Sequence, residues 1–477
     1  MSTASPEPQK SAKAKSPVPE HDTLYAARKK LYVRAVSGLF ANWRWLLVWI
    51  TQLIFYGLPW LSWNDRQAVL FHLTERKFYI FGWVFWPQDV FFLAILLIIS
   101  AYALFFFTAV AGRLWCGYAC PQTVYTEIFM WIEQKIEGDH VKRQKLDQAP
   151  MSGEKALKRG AKFFAWAVVA LWTGFTFVAY FSPLDELLHS FRTVGFGPWE
   201  TFWILFYAGF TFLFAGVLRE QVCKYMCPYA RFQAVMFDPD TLVITYDEER
   251  GEPRGARRKN IDPRSVGKGD CIDCGICVQV CPTGIDIRNG LQYECIGCAA
   301  CIDACDDVMD KMNYPRGLIR YSTENALKKH WGGKEILLHV LRPRTLIYGA
   351  ILVAVSIAFV WGLAARDPLR VDIIRDRSSL GREIEGGLIE NVYQLQVMNM
   401  TEAPRAFRLA VSGLPGVKIG GAERVDVPAA STQAVTLQVL VPYDSGSPGS
   451  NLISFEVTAE DDSSLSVKEE TTFLIPR

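Results

Sequence analysis

Residues 271–305 read CIDCGICVQVCPTGIDIRNGLQYECIGCAACIDAC and hold eight of the twelve cysteines of the chain. They form two runs with the same C-x2-C-x2-C-x3-C spacing, which are Cys271, Cys274, Cys277 and Cys281, and then Cys295, Cys298, Cys301 and Cys305. In two-cluster ferredoxins each such run gives three thiolates to one [4Fe–4S] cube and its fourth thiolate to the other. The spacing therefore predicts one cube on Cys271, Cys274, Cys277 and Cys305, and another on Cys295, Cys298, Cys301 and Cys281.

The alternative for this stretch is a pair of structural zinc knuckles or disulfides. Repetition of the whole four-cysteine run favours iron–sulfur ligation over either of these. One difference between the runs is that Pro282 follows Cys281 whereas Asp306 follows Cys305. This changes the turn after the ligand and removes no ligand. The stretch predicts a ferredoxin-like domain that carries electrons.

The rest of the chain has the composition of a membrane protein, since half of its 477 residues are apolar and 13% are aromatic. Each predicted span is close to the ~20 residues that a helix needs to cross hydrocarbon. The five predicted spans are 44–62, 90–111, 162–182, 200–218 and 345–364.

The loops between these stretches differ in charge. Residues 112–162 and 219–344 are rich in Lys and Arg, whereas 63–89 and 183–199 contain few. The positive-inside rule then places the N-terminus and the cysteine-rich domain in the cytoplasm and the C-terminal segment outside. The first 22 residues have no apolar core, so we expect a disordered tail and no signal peptide.

A short motif occurs twice, as Cys116-Gly-Tyr-Ala-Cys120-Pro and as Cys223-Lys-Tyr-Met-Cys227-Pro. Each copy follows two predicted spans, which suggests a parallel-repeat bundle of four helices. After the first copy, residues 122–137 have the pattern of an amphipathic surface helix. Residues 24–40 have near-helical spacing of basic and apolar positions, which fits an interfacial helix or a plain lead-in to the first span.

Two cysteines at i and i+4 share a helix face, so the two pairs are predicted to converge as four thiols. Such a group suits Cu(I), zinc or a further iron–sulfur cluster, and a redox-active dithiol is an equal alternative. Nearby Arg113 and Arg219 are expected to lower the thiol pKa values and favour thiolate. Buried cysteines without chemistry are the less favoured interpretation because the motif repeats. The candidate catalytic and copper-binding residues are Cys116, Cys120, Cys223 and Cys227.

Segment 241–270 is basic, which fits a docking patch for an acidic electron donor or an anionic lipid, or ordinary positive-inside charge. No histidine lies in a predicted span and no nucleotide-binding motif occurs, so haem in the bilayer and a built-in flavin or nicotinamide are disfavoured. The donor is then another protein or a membrane quinol, and nothing predicts a nucleic-acid partner. From Asp367 onward, alternating segments predict a cysteine-free, Ig-like β-sandwich.

The predicted fold class is thus a multi-domain membrane protein that joins an α-helical bundle of five spans, a ferredoxin-like domain with two [4Fe–4S] cubes and an Ig-like β-sandwich. The predicted domains are a cytoplasmic tail (1–37), a four-span domain (38–240), a cytoplasmic ferredoxin domain (241–344), a fifth helix (345–364) and a periplasmic β-sandwich (365–477).

The chain resembles the CcoG/FixG/RdxA family of cytochrome c oxidase accessory proteins. The matching stretches are RLWCGYACPQT, CKYMCPYARFQ and the cysteine block ending in CIDACDDVM. The resemblance implies a polyferredoxin of the bacterial inner membrane that reduces Cu(II) to Cu(I) during assembly of cbb3-type oxidase. Its implied partners are oxidase assembly factors and copper-transport proteins. Copper would be a substrate or a transiently bound ion.

Two other functions remain open from the sequence. One is a quinol-oxidising subunit similar to the NapH-type membrane ferredoxins, which lack the fifth span and the β-domain. The other is an oxidase-assembly scaffold without catalysis, in which the β-domain does the binding.

Overall fold

The computed structural model describes residues 30–259, 261–340, 342–376, 381–384 and 386–476. The tail predicted over the first 22 residues lies outside these ranges. Of the segment 24–40, the described part is not helical until Leu39, so it is a lead-in to the first helix as far as it can be followed.

The helices include four that are long and apolar enough to cross a membrane and several short ones around the cysteine motifs. Numbered along the chain, they are α1 (Leu39–Gly57), α2 (Val90–Ala111), α3 (Leu114–Tyr118), α4 (Pro121–Glu137), α5 (His140–Gln148), α6 (Gly153–Val178), α7 (Leu184–Thr193), α8 (Pro198–Thr211), α9 (Pro228–Met236), α10 (Glu248–Gly251), α11 (Ile276–Gln279), α12 (Ala300–Met312), α13 (Glu324–Lys329), α14 (Gly333–Val340) and α15 (Pro343–Ala364). Two π-helical segments, Phe212–Leu218 and Val222–Met226, lie between α8 and α9.

The strands fall into three regions: the loop between α1 and α2, the ferredoxin-like domain, and the C-terminal domain. They are β1 (Ser62–Trp63), β2 (Arg66–Gln67), β3 (Val69–His72), β4 (Lys77–Ile80), β5 (Trp83–Phe85), β6 (Val243–Tyr246), β7 (Ile319–Ser322), β8 (Leu369–Arg375), β9 (Arg382–Ile384), β10 (Leu388–Asn399), β11 (Arg405–Ser412), β12 (Lys418–Gly420), β13 (Arg424–Val427), β14 (Ser431–Pro442), β15 (Gly449–Ala459) and β16 (Ser466–Ile475).

Among the described residues, the helices long and apolar enough to cross a membrane, by length and composition, are Pro87–Ala111, Gly153–Val178, Pro198–Leu218 and Pro343–Ala364. They cover the last four predicted spans. The first predicted span is a helix too, but α1 begins five residues earlier than predicted, carries the buried Arg44, and is not among these candidates. The five-span count therefore stays a prediction.

The long helices pack in two groups. In one, α6 packs closely against α8, where a β-carbon on Gly174 would lie 2.3 Å from the carbonyl oxygen of Ile204, so only glycine fits. In the other, α2 packs along α15 through ring contacts such as Phe92 with Phe359. Helix α1 contacts α6 instead of pairing extensively with α2, so the first of the two predicted hairpins is not a closely packed pair.

Helix α4 is the amphipathic helix predicted over 122–137, and its buried face carries charges that the pattern placed outside. Glu133 is 2% exposed and contacts Arg143, Lys162 and Arg219 at 2.8–3.5 Å. Trp131, predicted on the apolar face, is exposed. Packing against α6 and the π-helical segment sets the orientation of α4. Lys162 of α6 and Arg219 after the π-helical segment need a carboxylate partner in a buried site, and Glu133 provides it.

The ferredoxin-like domain is closed by an antiparallel pair, β6 with β7, over a core that includes Ile244, Met309 and Ile319. It docks on the membrane domain at the start of α1. There the Asp303 carboxylate accepts hydrogen bonds from the backbone N–H groups of Phe40 and Ala41 at 3.2 and 2.7 Å. A negative group at a helix N-terminus satisfies otherwise unpaired N–H groups, which explains why α1 begins there.

The C-terminal domain is the predicted β-sandwich. One antiparallel sheet has the order β12-β14-β10-β8, with β9 pairing on β10, and the other has the order β13-β11-β15-β16. Alternate residues such as Tyr393, Phe407 and Phe455 fill the core between them. The strands between α1 and α2 were not predicted, because runs of two to four residues are too short for alternation to be visible. Their core residues Tyr79 and Trp86 pack with Met400 of the sandwich.

Candidate functional site

The first group of cysteines is Cys271, Cys274, Cys277 and Cys305, which line one cavity of the ferredoxin-like domain. Three of them come from a loop that turns at Asp273 and Gly275, both with positive φ, and Cys305 comes from α12. Burial and then the neighbouring thiols of Cys277, Cys271 and Cys274 raise the pKa of the Cys305 thiol to about 12. This set, the first quartet, is the one that crossed ligation predicts.

The second group is Cys281, Cys295, Cys298 and Cys301. Burial and the neighbouring thiols, Cys281 among them, raise the pKa of Cys295 to about 12. Burial and the thiol of Cys281 also raise the pKa values of Cys298 and Cys301. Cys281 is therefore a neighbour of the three cysteines of the other run, as predicted. We call this set the second quartet.

The donor sets fit iron–sulfur cubes. Each quartet offers four thiols, the soft ligands that such clusters take. In the described residues, no three His, Cys, Asp or Glu side chains form a group that could hold a single metal ion. A cube binds one thiolate at each iron, so its ligands stand farther apart than those of a single ion. Ligation by each individual cysteine stays a prediction.

The quartets differ in their access to solvent. Of the twelve cysteines, all of which lie in the described part of the chain, Cys274 of the first quartet is the one that is exposed. Cys298 of the second quartet is buried in an apolar cluster against which Cys116 and Cys223 pack. The first quartet thus faces solvent, and the second faces the membrane domain.

The two C-x-Y-x-C-P motifs have the same local backbone. The N–H of Cys120 donates to the carbonyl of Trp115 at 3.0 Å, and that of Cys227 donates to Val222 at 2.8 Å, five residues back in each case. The following proline starts the next helix, so the second cysteine is the extended residue before α4 or α9. The expectation of two cysteines on one helix face is therefore wrong, because a residue before proline is driven out of the helical region.

The four thiols still lie together. Burial and then the other thiols, Cys120, Cys116 and Cys227, raise the pKa of Cys223 to about 12. The structure thus brings the two motifs to one place, as the repeat predicts. We call this set the motif thiols.

Burial raises the pKa values of Cys116, Cys120 and Cys223, contrary to the thiolate character expected from the nearby arginines. Burial raises the pKa of Cys116 to about 12, which outweighs the opposing charge of Arg113. The Arg219 guanidinium binds Glu133 at 2.8 Å. A buried thiol is a weak nucleophile as a free dithiol, whereas a bound metal or cluster would displace its proton.

The turn that carries Cys116 lies against the backbone of the loop that carries the second quartet. A β-carbon on Gly117 would lie 2.8 Å from the backbone N and Cα of Cys298, and one on Gly297 would lie 3.1 Å from the carbonyl group of Arg113. The Arg113 guanidinium also donates to the Cys295 carbonyl at 3.5 Å and to the Ala230 carbonyl at 2.5 Å. The same short segment therefore holds Cys116 and supports the loop that carries Cys298.

The sequence analysis missed two residues near these sites. The fully buried Gln233 accepts a hydrogen bond from the Cys116 thiol at 3.6 Å, and Thr108 holds its amide from the other side. The 7%-exposed Arg44 lies beside Glu127 and lines a cavity with Cys223 and Cys298. A polar residue inside an otherwise apolar stretch was the available signal for both.

Comparisons with known proteins agree with this architecture. A family model described as a 4Fe-4S dicluster domain matches residues 218–324, and one described as a 4Fe-4S binding domain matches 93–138. A third, described as an Ig-like fold at the C-terminus of FixG, matches 359–476.

Full-length relatives are similar over almost the whole chain. Protein RdxA of Cereibacter sphaeroides is 39% identical over 454 residues, which cover 92% of this chain and 95% of RdxA. Nitrogen fixation protein FixG of Rhizobium meliloti is 36% identical over 479 residues, covering 92% of this chain and 91% of FixG. Protein RdxB of C. sphaeroides is 39% identical over 445 residues, covering 91% and 93%. The family predicted from the motifs is confirmed: this membrane iron–sulfur electron-transfer protein belongs to the family of FixG, RdxA and RdxB.

Proposed function

We propose that this protein takes up electrons singly at the first quartet and delivers them to Cu(II) at the motif thiols, producing Cu(I) for assembly of a cbb3-type oxidase. The observation that carries the proposal is the contact between Gly117 and Cys298, which joins the motif thiols to the second quartet. [4Fe–4S] cubes held by the quartets would supply one-electron storage at each.

The residues of the chain suit this direction of transfer. Exposed Cys274 gives a donor access to the first quartet, whereas no cysteine of the second quartet is exposed. Copper is the substrate: one electron converts Cu(II) to Cu(I), and no bond of the protein is broken. The thiols release their protons when copper binds, and thiolates hold the soft Cu(I) ion.

The expected location is a bacterial inner membrane, with the ferredoxin domain in the cytoplasm and the β-sandwich in the periplasm. The excess of Lys and Arg in 112–162 and 219–344 supports this orientation. Oxidase assembly factors and copper-transport proteins are the proposed partners for receiving Cu(I).

The test is the double variant Cys116→Ser with Cys120→Ser, purified without oxygen. We expect unchanged iron and sulfide content and loss of Cu(II) reduction, because the variant keeps both quartets and removes half of the copper ligands. Cys223→Ser with Cys227→Ser is the matched variant in the second motif and should give the same result. Full Cu(II) reduction with intact cubes in either variant would exclude this role for the motif thiols.

A second candidate is that the motif thiols hold a resident third cluster, as in a quinol-oxidising subunit of the NapH type. One observation favours it: the 4Fe-4S binding domain matched over 93–138 contains no cysteines other than Cys116 and Cys120. The two candidates differ in iron content, about twelve atoms per chain for three cubes against about eight for two. Under the second candidate, the Cys116/Cys120 variant loses a third of its iron, and added quinol reduces the wild-type clusters rapidly.

A further inference from the structure

The basic segment Arg254–Lys268 lies beside the solvent-facing first quartet. The N–H of Gly255 donates to the carbonyl of Cys271 at 3.1 Å, and the Arg257 guanidinium donates to the same carbonyl at 3.4 Å. Tyr314 at the end of α12 accepts a further hydrogen bond from Arg257 at 2.9 Å. The described part of the segment is therefore fixed to the domain at the loop that carries the first quartet.

The charge of this segment is unbalanced. It contains six Lys and Arg residues and a single acidic residue, Asp262. Within the described residues, no ion pair involves Arg258, Lys259, Arg264 or Lys268, although the first three are exposed. Two other exposed cations of the same domain are paired, Lys311 with Asp307 and Arg316 with Asp310. Like charges held together without partners repel, so this surface is complementary to an acidic one.

The residues around the exposed Cys274 are charged as well. Arg288 pairs with Asp273, the residue before Cys274, at 2.5 Å and with Asp286 at 2.8 Å. Burial alone would raise the pKa of Asp286, but Arg288 and then Arg254 lower it, which places Arg254 on the same side of the domain. On the other flank, Arg264 and Lys268 line a surface cavity of about 810 Å³ that also holds Arg250 and five carboxylates, so the charge of that flank is mixed.

We propose that Arg254–Lys268, together with the exposed edge at Cys274, is the docking surface for a small acidic protein that carries one electron. A protein of this class brings its own redox centre to Cys274 and transfers one electron, so that the carrier is oxidised by one electron and the first quartet's cluster is reduced by one, with no change in bonds. The proposal rests on the proposed electron-transfer role and not on copper.

An anionic membrane surface is the competing occupant of such a patch. The structure disfavours it, because the membrane domain contacts the second quartet through Gly117 of α3, whereas the patch contacts the first quartet at Cys271. A bilayer lying on the patch would also cover Cys274 and block electron uptake.

The test uses the full chain, loaded with its clusters, in nanodiscs of phosphatidylcholine. Reduced acidic [2Fe–2S] ferredoxin is mixed with it, and bleaching of the iron–sulfur absorption gives the second-order rate. We expect Arg258→Glu with Lys259→Glu to slow this reduction by about 10-fold or more at low salt, with the difference vanishing near 1 M salt. The matched control, Lys328→Glu with Lys334→Glu, makes the same charge change at exposed residues elsewhere in the domain and should leave the rate unchanged.

Two further measurements keep the result unambiguous. The iron content should be the same in all variants, and so should the rate of reduction by neutral photoexcited deazaflavin. Arg264→Glu alone is a second charge reversal on the patch and should have a smaller effect on the ferredoxin rate. An unchanged ferredoxin rate in the Arg258/Lys259 variant would overturn the proposal. So would a wild-type rate that falls to the variant's level in phosphatidylglycerol nanodiscs, which would assign the patch to lipid. Copper is absent from the assay, so failure of Cu(II) reduction cannot produce either outcome.

Discussion

The two cysteine turns of the membrane domain, Gly112–Cys120 and Arg219–Cys227, share a backbone and differ in what they contact. Both begin with an unusual positive φ, at Gly112 (φ 54°, ψ −125°) and at Arg219 (φ 44°, ψ −111°). Both place their second cysteine before a helix-starting proline. The equivalent of Gly112 is thus Arg219, so the repeat is one of conformation more than of sequence.

The contacts of the two turns explain why they differ. The first turn presents Gly117 to the backbone of Cys298, whereas the second has Lys224 at the matching position. The second turn is π-helical and ties itself to the bundle through Arg219 and Glu133. Cys116 and Cys223 both pack beside Cys298, but the first turn adds a backbone contact with the ferredoxin-like domain and the second adds the Arg219–Glu133 ion pair; we call this difference the division of tasks.

The largest effect is expected at the ion-pair cluster around Glu133, which joins α4, after the first turn, to Arg219 at the start of the second turn. Glu133→Gln leaves three buried or half-buried cations, Arg143, Lys162 and Arg219, without their shared carboxylate, which should destabilise the protein by about 3–5 kcal/mol. Thermal unfolding in detergent measures this. A variant as stable as wild type would show that the ion pairs of Glu133 do not stabilise the protein.

Lowering the pH is a second way to test the ion pairs of Glu133. Burial alone would raise the pKa of Glu133, but Arg219, Lys162 and Arg143 lower it overall. A lowered pKa means that the carboxylate stabilises the fold above its unfolded pKa and that this stability is lost as pH falls through the folded value. Glu133→Gln should lack this part of the acid transition.

The next prediction compares Gly117 and Lys224, which occupy matching positions in the two turns. Gly117→Ala places a β-carbon 2.8 Å from the backbone of Cys298, where no flexible side chain can yield, and should cost about 1–3 kcal/mol. We expect slower Cu(II) reduction as well, because the motif thiols move away from the second quartet. Lys224→Ala is the matched control and should change neither quantity; equal effects of the two substitutions would contradict the division of tasks.

A smaller effect tests the shared backbone. Arg219→Ala and Arg219→Gly both lose the bonds of the guanidinium to Glu133 and to the Gly216 carbonyl. Glycine adopts a positive φ freely, so the glycine variant should be more stable than the alanine variant by about 1 kcal/mol. Unfolding midpoints of the two proteins, compared side by side, give this difference. Equal stabilities would mean that the backbone at Arg219 is unstrained.

The smallest effect concerns a hydrogen bond that one turn has and the other lacks. Thr123 donates to the Cys116 carbonyl at 2.6 Å, and the matching residue of the second copy is Ala230. Thr123→Val should destabilise by about 1 kcal/mol, whereas Thr123→Ser keeps the hydroxyl and should not. Thermal unfolding of the two variants decides between these results.

The sequence was sufficient for features set by local spacing. The cysteine runs predict the two quartets because short loops leave few ways for Cys271–Cys281 and Cys295–Cys305 to fold, and the alternating C-terminal segments predict the sandwich. Features that depend on distant partners were not visible. Asp303 sets the start of α1, and burial among other thiols, not the nearby arginines, sets the pKa of Cys116. The inward turn of Glu133 needs three cations from three separate elements.

The exposure of Cys274 also decides how the protein fails in air. Dioxygen and peroxide reach the first quartet through solvent, whereas the second is shielded by the membrane domain. Oxidative damage should therefore begin at the first quartet and leave the second intact. The contact between Gly117 and Cys298 does not involve the damaged site, so such a protein stays assembled and loses only its ability to accept electrons. Anaerobic rebuilding of a single cube would then restore it.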